Sequence, residues 1–242
     1  MDEYIKYQIN ISGNLITVND YHIDETFCAG YRYKALTKYK DFIRAQYGEA
    51  IDSTSEYTYP VIKESSDKFL DTHIKNETKV LWESIYNYMK TKYNVELQLW
   101  DGHLNANMAG SHSIIHTDEG DKCHLFCLVF FNDDMNIYQG GEFQTYVSLK
   151  EEEGYDDDDL SKNKKLHKDI YNQPFQINHT ISPKVGRIVF ADSRIYHRGL
   201  SPTSLYKHAR LTIVFKLKFK NVDDAFNKLG WIKEYGKGHN GI

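Results

Sequence analysis

Three His-x-Asp triplets occur in the sequence: His22-Ile23-Asp24, His116-Thr117-Asp118 and His167-Lys168-Asp169. In extended chain, residues i and i+2 point to the same face, so an imidazole and a carboxylate at this spacing can grip one metal ion. Asp24 stands at the head of a helical pattern, where an aspartate caps backbone N–H groups. His167 lies in a charge-rich stretch that gives it no fixed geometry. His116 and Asp118 follow an apolar extended run and precede Glu119-Gly120-Asp121, which reads as a turn. This pair alone has the setting of a strand end.

Two histidines and one carboxylate on one face of an Fe(II) ion leave three positions open, enough for a bidentate cosubstrate and O2. The second histidine must come from elsewhere in the chain. His197 is the candidate, 81 residues after His116, in Tyr196-His197-Arg198-Gly199 behind the turn Asp192-Ser193. Thirteen residues later Arg210 opens the strand-like run Arg210-Leu211-Thr212-Ile213-Val214-Phe215. Alternation puts Arg210 and Thr212 on one face and Leu211, Ile213 and Phe215 on the other. An arginine inside an apolar barrel is costly unless paired, and a bidentate carboxylate compensates it. His197 with Arg210 therefore reads as a metal ligand followed by a dicarboxylate clamp.

These residues need strands to carry them. After Asn94, short apolar runs bounded by turn residues cover 97–108, 123–131, 142–147, 175–182, 187–191, 194–198 and 209–219. Strands at this spacing without intervening helices predict an antiparallel sandwich or barrel. Ahead of them, residues 4–18 read as a hairpin with Ser12-Gly13-Asn14 at its turn. A helix is expected from Asp24 to about residue 47. A second is expected over 65–93, with Leu70, Ile74, Val80, Leu81, Ile85 and Met89 as its apolar stripe. Residues 150–168, rich first in acidic residues and then in lysines, read as a solvated insertion. A short C-terminal helix is expected over 222–235.

The 242 residues suit one domain: a helical and hairpin support region over 1–94, a β core over 95–220, and a terminal helix and tail over 221–242. With 30 basic against 34 acidic residues, the net charge of −4 excludes a generally basic nucleic-acid binder. No apolar run approaches the ~20 residues needed to span a bilayer. The three cysteines form no disulfide framework, and Cys123 and Cys127 in an apolar run read as buried thiols. With no signal-peptide pattern at the N-terminus, a cytoplasmic location is expected.

The joint pattern His116-x-Asp118 … His197 … Arg210, with Gly140-Gly141-Glu142-Phe143 before a middle strand, resembles the Fe(II)/2-oxoglutarate-dependent dioxygenases. Within them it is most similar to the prolyl 4-hydroxylase-like branch. The resemblance spans about half the chain. It implies a double-stranded β-helix, a jelly-roll core with the N-terminal helices packed on one sheet. It implies Fe(II) held by His116, Asp118 and His197, and 2-oxoglutarate held at its far carboxylate by Arg210 with help from Thr212. The implied reaction consumes O2 and 2-oxoglutarate and hydroxylates an organic substrate, with ascorbate as an accompanying reductant. The spacing from Gly110 to His116 matches the family. Where the prolyl hydroxylase branch tends to place tyrosines, this chain has Asn107 and Ser113; Asn107 still offers an inward polar group beside 2-oxoglutarate. Some branch members carry a lysine where Lys207 lies, but Arg210 better fits the strand start. The substrate implied is a prolyl residue in a protein; a free amino acid, another small molecule or a nucleobase is the alternative, as is a binding module with a relict metal site.

Overall fold

From residue 97 onward nearly every apolar run becomes a strand whose side chains alternate between two buried faces, which is why these runs look almost uniformly hydrophobic. The computed structural model describes residues 14–18, 20, 22–38, 43–44, 56–62, 68–111, 113, 115–118, 123–133, 135–136, 138–148 and 175–231. The strands are β1 (Leu15–Thr17), β2 (Ile43–Arg44), β3 (Glu56–Ile62), β4 (Leu97–Asn107), β5 (Leu125–Phe130), β6 (Phe143–Ser148), β7 (Phe175–Ile181), β8 (Ile188–Asp192), β9 (Tyr196–Gly199) and β10 (Arg210–Phe219). The helices are α1 (Glu25–Leu36), α2 (Lys75–Tyr93) and α3 (Val222–Leu229).

All pairings are antiparallel. The larger sheet runs β1-β8-β5-β10-β4-β3-β2 and the smaller β7-β6-β9. An antiparallel bridge from His116 to His197 extends the smaller sheet past β9. Chain order thus alternates between the two sheets: β4 in the larger, the 116 segment in the smaller, β5 back in the larger, β6 and β7 in the smaller. This is the jelly-roll pattern of a double-stranded β-helix. Phe126, Leu128, Phe130, Val189 and Ala191 from the larger sheet meet Phe143 and Ile181 from the smaller one, closing the space between them.

The opposite face of the larger sheet carries Leu104, Ala106, Leu125, Cys127, Val129, Ile188, Phe190, Leu211, Ile213, Phe215 and Leu217. These lie in one buried cluster with Cys28, Tyr31 and Ala35 of α1 and Leu81, Ile85 and Met89 of α2. Spacings of three and four keep each helix's set on one stripe. Tyr31 stacks on Phe131 with ring centroids 4.5 Å apart, and Trp82 meets Phe215 at 6.1 Å. Asp24 caps α1, accepting from the Phe27 N–H at 2.9 Å. Cys28, Cys123 and Cys127 are all free and buried. No described helix is long and apolar enough to cross a membrane.

The N-terminal third departs from expectation. The first expected helix ends at Leu36 rather than near residue 47, and Ile43–Arg44 pairs with β3 instead. The second begins at Lys75, not at 65. The Leu70 N–H bonds to the Val61 carbonyl at 2.9 Å and Phe69 bridges Ile62, so this stretch borders the sheet. Its N-cap, Ile74, makes no side-chain cap bond, so the sequence holds no start signal there. Val80, placed in the apolar stripe, is 54% exposed. Strand β3 was not expected, and Pro60 sits in it at a register irregularity, where a missing N–H is tolerated. β1 pairs with distant β8; the rest of the expected hairpin, residues 4–13, lies outside the described residues, as does the insertion at 150–168. α3 stops at Leu229, where Gly230 takes a left-handed cap, short of residue 235.

Candidate active site

His116, Asp118 and His197 converge: one ligand atom from each lies within 4.8 Å of the others. Backbone bonds set this up. The His116 N–H donates to the His197 carbonyl at 3.0 Å and the His197 N–H returns to the His116 carbonyl at 2.8 Å, so the two histidines face each other across one bridge. Their ring centroids are 4.4 Å apart. The short turn before β9 adds two further contacts, one to the Asp118 backbone and one to the His197 ring. The Ser193 carbonyl accepts from the Asp118 N–H at 2.8 Å, and the Ile195 carbonyl lies 2.9 Å from His197 Nδ1. A carbonyl can only accept, so Nδ1 carries the proton and Nε2 keeps its lone pair for a metal. The turn itself is held by Asp192, whose carboxylate receives Arg194 Nε at 2.8 Å and Asn14 Nδ2 at 2.8 Å.

The electrostatics suit a dication. Burial, then the neighbouring His116, depress the His197 pKa to about 4, so its ring is neutral at pH 7. Burial pushes the Asp118 carboxyl upward, but the Lys216 ammonium and the two imidazoles outweigh it and hold it well below the usual carboxylate range. Asp118 Oδ1 lies 2.8 Å from Lys216 Nζ, while Oδ2 lies 3.7 Å from His197 Nε2. Phe126 and Phe143 pack on the His197 ring, with centroids 4.4 and 5.5 Å away.

Beside this cluster, in the same pocket, sits Arg210. It is 2% exposed. Its Nε donates to the Gly141 carbonyl at 2.6 Å and its Nη1 to Asn107 Oδ1 at 3.2 Å. The guanidinium lies 5.3 Å from the Phe130 ring centroid. Arg210 opposes Asn107, and Thr212 opposes Asn105, across the β10–β4 ladder. Asn105 Oδ1, Asn107 Nδ2 and Thr212 Oγ1 are buried without a hydrogen-bond partner. Buried polar atoms normally find partners. Two of these orphans, Asn105 Oδ1 and Thr212 Oγ1, belong to residues that line the pocket together with Arg210 and the three convergent metal-type ligands.

Of the site residues expected from the sequence, His116, Asp118, His197, Arg210 and Thr212 line one cavity; Asn107 is not among its lining residues and reaches it only through its bond to Arg210. Lys207 does not line it. It is exposed, with Nζ on the Ser204 carbonyl at 2.8 Å. Ser113 ties the first segment to β9, accepting from the Gly199 N–H at 2.8 Å. Sequence reasoning missed Lys216, Asn105 and Gly199. Lys216 shares the parity of Arg210 and Thr212 along β10, and following that parity two residues past Val214 would have found it. Gly199 carries no such signal; its need is steric, since a Cβ there would stand 3.3 Å from Arg210 Nη1.

The structure is thus a jelly roll with one pocket lined by two histidines, an aspartate and a buried arginine. Solved structures agree on the fold. The chain has the fold of the 2-oxoglutarate-Fe(II) oxygenases. It matches an oxidoreductase of that family from Burkholderia pseudomallei at TM-score 0.59 and 12% identity, over 88% of this chain and 90% of that one. It matches a prolyl hydroxylase from Trichoplax adhaerens, solved with a peptide fragment of a hypoxia-inducible factor, at TM-score 0.57 and 12% identity, over 93% and 92%. The epimerase SnoN, in complex with Fe3+, α-ketoglutarate and nogalamycin RO, matches at TM-score 0.58 and 12% identity, over 96% and 91%. No protein-family model matches the sequence, and no curated protein matches it significantly.

Proposed function

We propose that this chain is an Fe(II)- and 2-oxoglutarate-dependent dioxygenase, folded as one catalytic domain, that hydroxylates an organic substrate. The observation that carries the reading is the shared cavity: the His116, Asp118 and His197 ligand atoms and the buried Arg210 line it together. In this reading His116, Asp118 and His197 hold the metal. Arg210 binds the far carboxylate of 2-oxoglutarate, and Asn107 Nδ2 and Thr212 Oγ1 supply further hydrogen bonds. Iron bound there would supply O2 activation coupled to oxidative decarboxylation of the 2-oxo acid, with ascorbate as an accompanying reductant.

The chain's own residues do the rest. Ile195 holds the His197 ring in the tautomer that offers Nε2. Phe126 and Phe143 exclude water from one side of that ring, which strengthens electrostatic interactions inside the pocket. Gly141 and Asn107 aim the arginine fork before any ligand arrives, so little ordering cost falls on binding.

For the substrate, a prolyl residue in a protein is the leading reading, supported by the prolyl hydroxylases among structures of this fold. A small molecule is the second, favoured by Asn107 and Ser113 where that branch tends to place tyrosines and by SnoN, which was solved with a small molecule. Anaerobic titration of the protein with Fe(II) and 2-oxoglutarate tests the cofactor assignment. A visible charge-transfer band, followed on aeration by succinate formation, is expected. Absence of the band at millimolar cosubstrate would refute it.

A further inference from the structure

Lys216 is the one cation that reaches the metal-type cluster among the described residues, and nothing in the reaction as outlined uses it. It lies on β10 with the parity of Arg210 and Thr212, six residues along, opposite Asp101 on β4 and Phe126 on β5. Its side chain is 26% exposed and that of Asp118 is 7% exposed. Its Nζ contacts Asp118 Oδ1 at 2.8 Å. The other carboxylate oxygen, Oδ2, is the one turned toward His197 Nε2. The two oxygens of Asp118 therefore have different partners. The backbone of Asp118 is equally fixed, with its N–H on Ser193 and its carbonyl accepting from Cys123 Sγ at 3.3 Å.

Resting on the metal-site reading above, we propose that Lys216 is a positioning residue that reserves Asp118 Oδ1 for itself and so makes Asp118 a one-oxygen ligand. A carboxylate can bind a cation through one oxygen or chelate it through both. Chelation by Asp118 would occupy a position that the two-histidine, one-carboxylate arrangement otherwise leaves open. A charge-assisted bond to an ammonium in a buried setting competes with chelation far better than water would. Lysine suits this task because its compact charge meets a single oxygen, whereas the arginine fork favours both at once. Lys216 thus preserves the open positions that a bidentate 2-oxo acid and O2 require, and adds positive charge that favours a dianionic cosubstrate.

The test is infrared difference spectroscopy of protein labelled with 13C-carboxylate aspartate, comparing the Zn(II)-loaded and metal-free forms. The separation between antisymmetric and symmetric carboxylate stretches is wide for one-oxygen binding and narrow for chelation. Wild type is expected to show the wide separation and Lys216→Met the narrow one. In parallel, 2-oxoglutarate affinity of the Mn(II)-loaded protein is expected to fall about tenfold in Lys216→Met. A wide separation in Lys216→Met overturns the proposal. So does a narrow one in wild type, which needs no variant to fold. If Zn(II) changes no aspartate band in wild type, and His197→Ala leaves Zn(II) binding unaltered, the metal-site reading itself has failed.

Discussion

Replacing Arg210 separates a cosubstrate clamp from a buried structural cation. Arg210 is almost fully enclosed, with bonds to Gly141 and Asn107 and its guanidinium carbon 5.3 Å from the Phe130 ring centroid. Losing one charge-assisted pair inside such a site costs about 2–5 kcal/mol. Arg210→Ala should therefore weaken 2-oxoglutarate binding by roughly 30-fold to several thousand-fold. Arg210→Lys keeps the charge but loses the planar fork, and a loss of about 10- to 100-fold is expected. Neither substitution touches His116, Asp118 or His197, so metal affinity should move less than about threefold, within 0.6 kcal/mol. The assay is the anaerobic charge-transfer titration in wild type and both variants, with metal affinity measured separately. Unchanged cosubstrate affinity in Arg210→Ala would refute the clamp while leaving the metal cluster standing. Equal loss of metal and cosubstrate binding would show that Arg210 acts on the fold instead.

Removing a metal ligand should behave differently. His197→Ala is expected to lower Fe(II) or Mn(II) affinity by at least about 100-fold, or 2.7 kcal/mol, without changing secondary structure, read by calorimetric titration and circular dichroism. Gly199→Ala places a methyl against the Arg210 fork. It should raise the 2-oxoglutarate dissociation constant about tenfold, about 1.4 kcal/mol, with the melting temperature nearly unchanged. The metal-free protein should lose stability in acid. The folded pKa of His197 is depressed to about 4 from 6.5, so the unfolded chain takes up this proton first as pH falls. That contribution is whole above pH 6.5 and fades by about 3 kcal/mol between pH 6.5 and 4, measurable as a falling denaturant midpoint. Tyr31→Ala removes a buried ring that stacks on Phe131 and hydrogen-bonds Thr78. It should cost about 3–5 kcal/mol in unfolding free energy and leave metal affinity alone.

The residues of the site were readable because their logic is local. Alternation along an extended chain put His116 beside Asp118 and Arg210 beside Thr212, and a strand keeps that parity wherever it packs. The strands after residue 97 were equally plain, since each is a short apolar run between turn residues. The cap at Asp24 was readable too, because it involves only the next three residues. Local logic fails where pairing with distant chain decides the outcome. The stretches around residues 43 and 69 carry patterns compatible with helix, yet β3 draws both into or beside the sheet, and β3 exists because β4 offers it an edge. Val80 points outward because the register of α2 is set by Leu81, Ile85 and Met89 meeting the sheet. The convergence of His197 on His116 across 81 residues, the approach of Gly199 to Arg210, and the division of Asp118 between Lys216 and the cavity are all products of strand register. Sequence determines which face of a strand a side chain takes; only the assembled sheets decide which other side chain it faces.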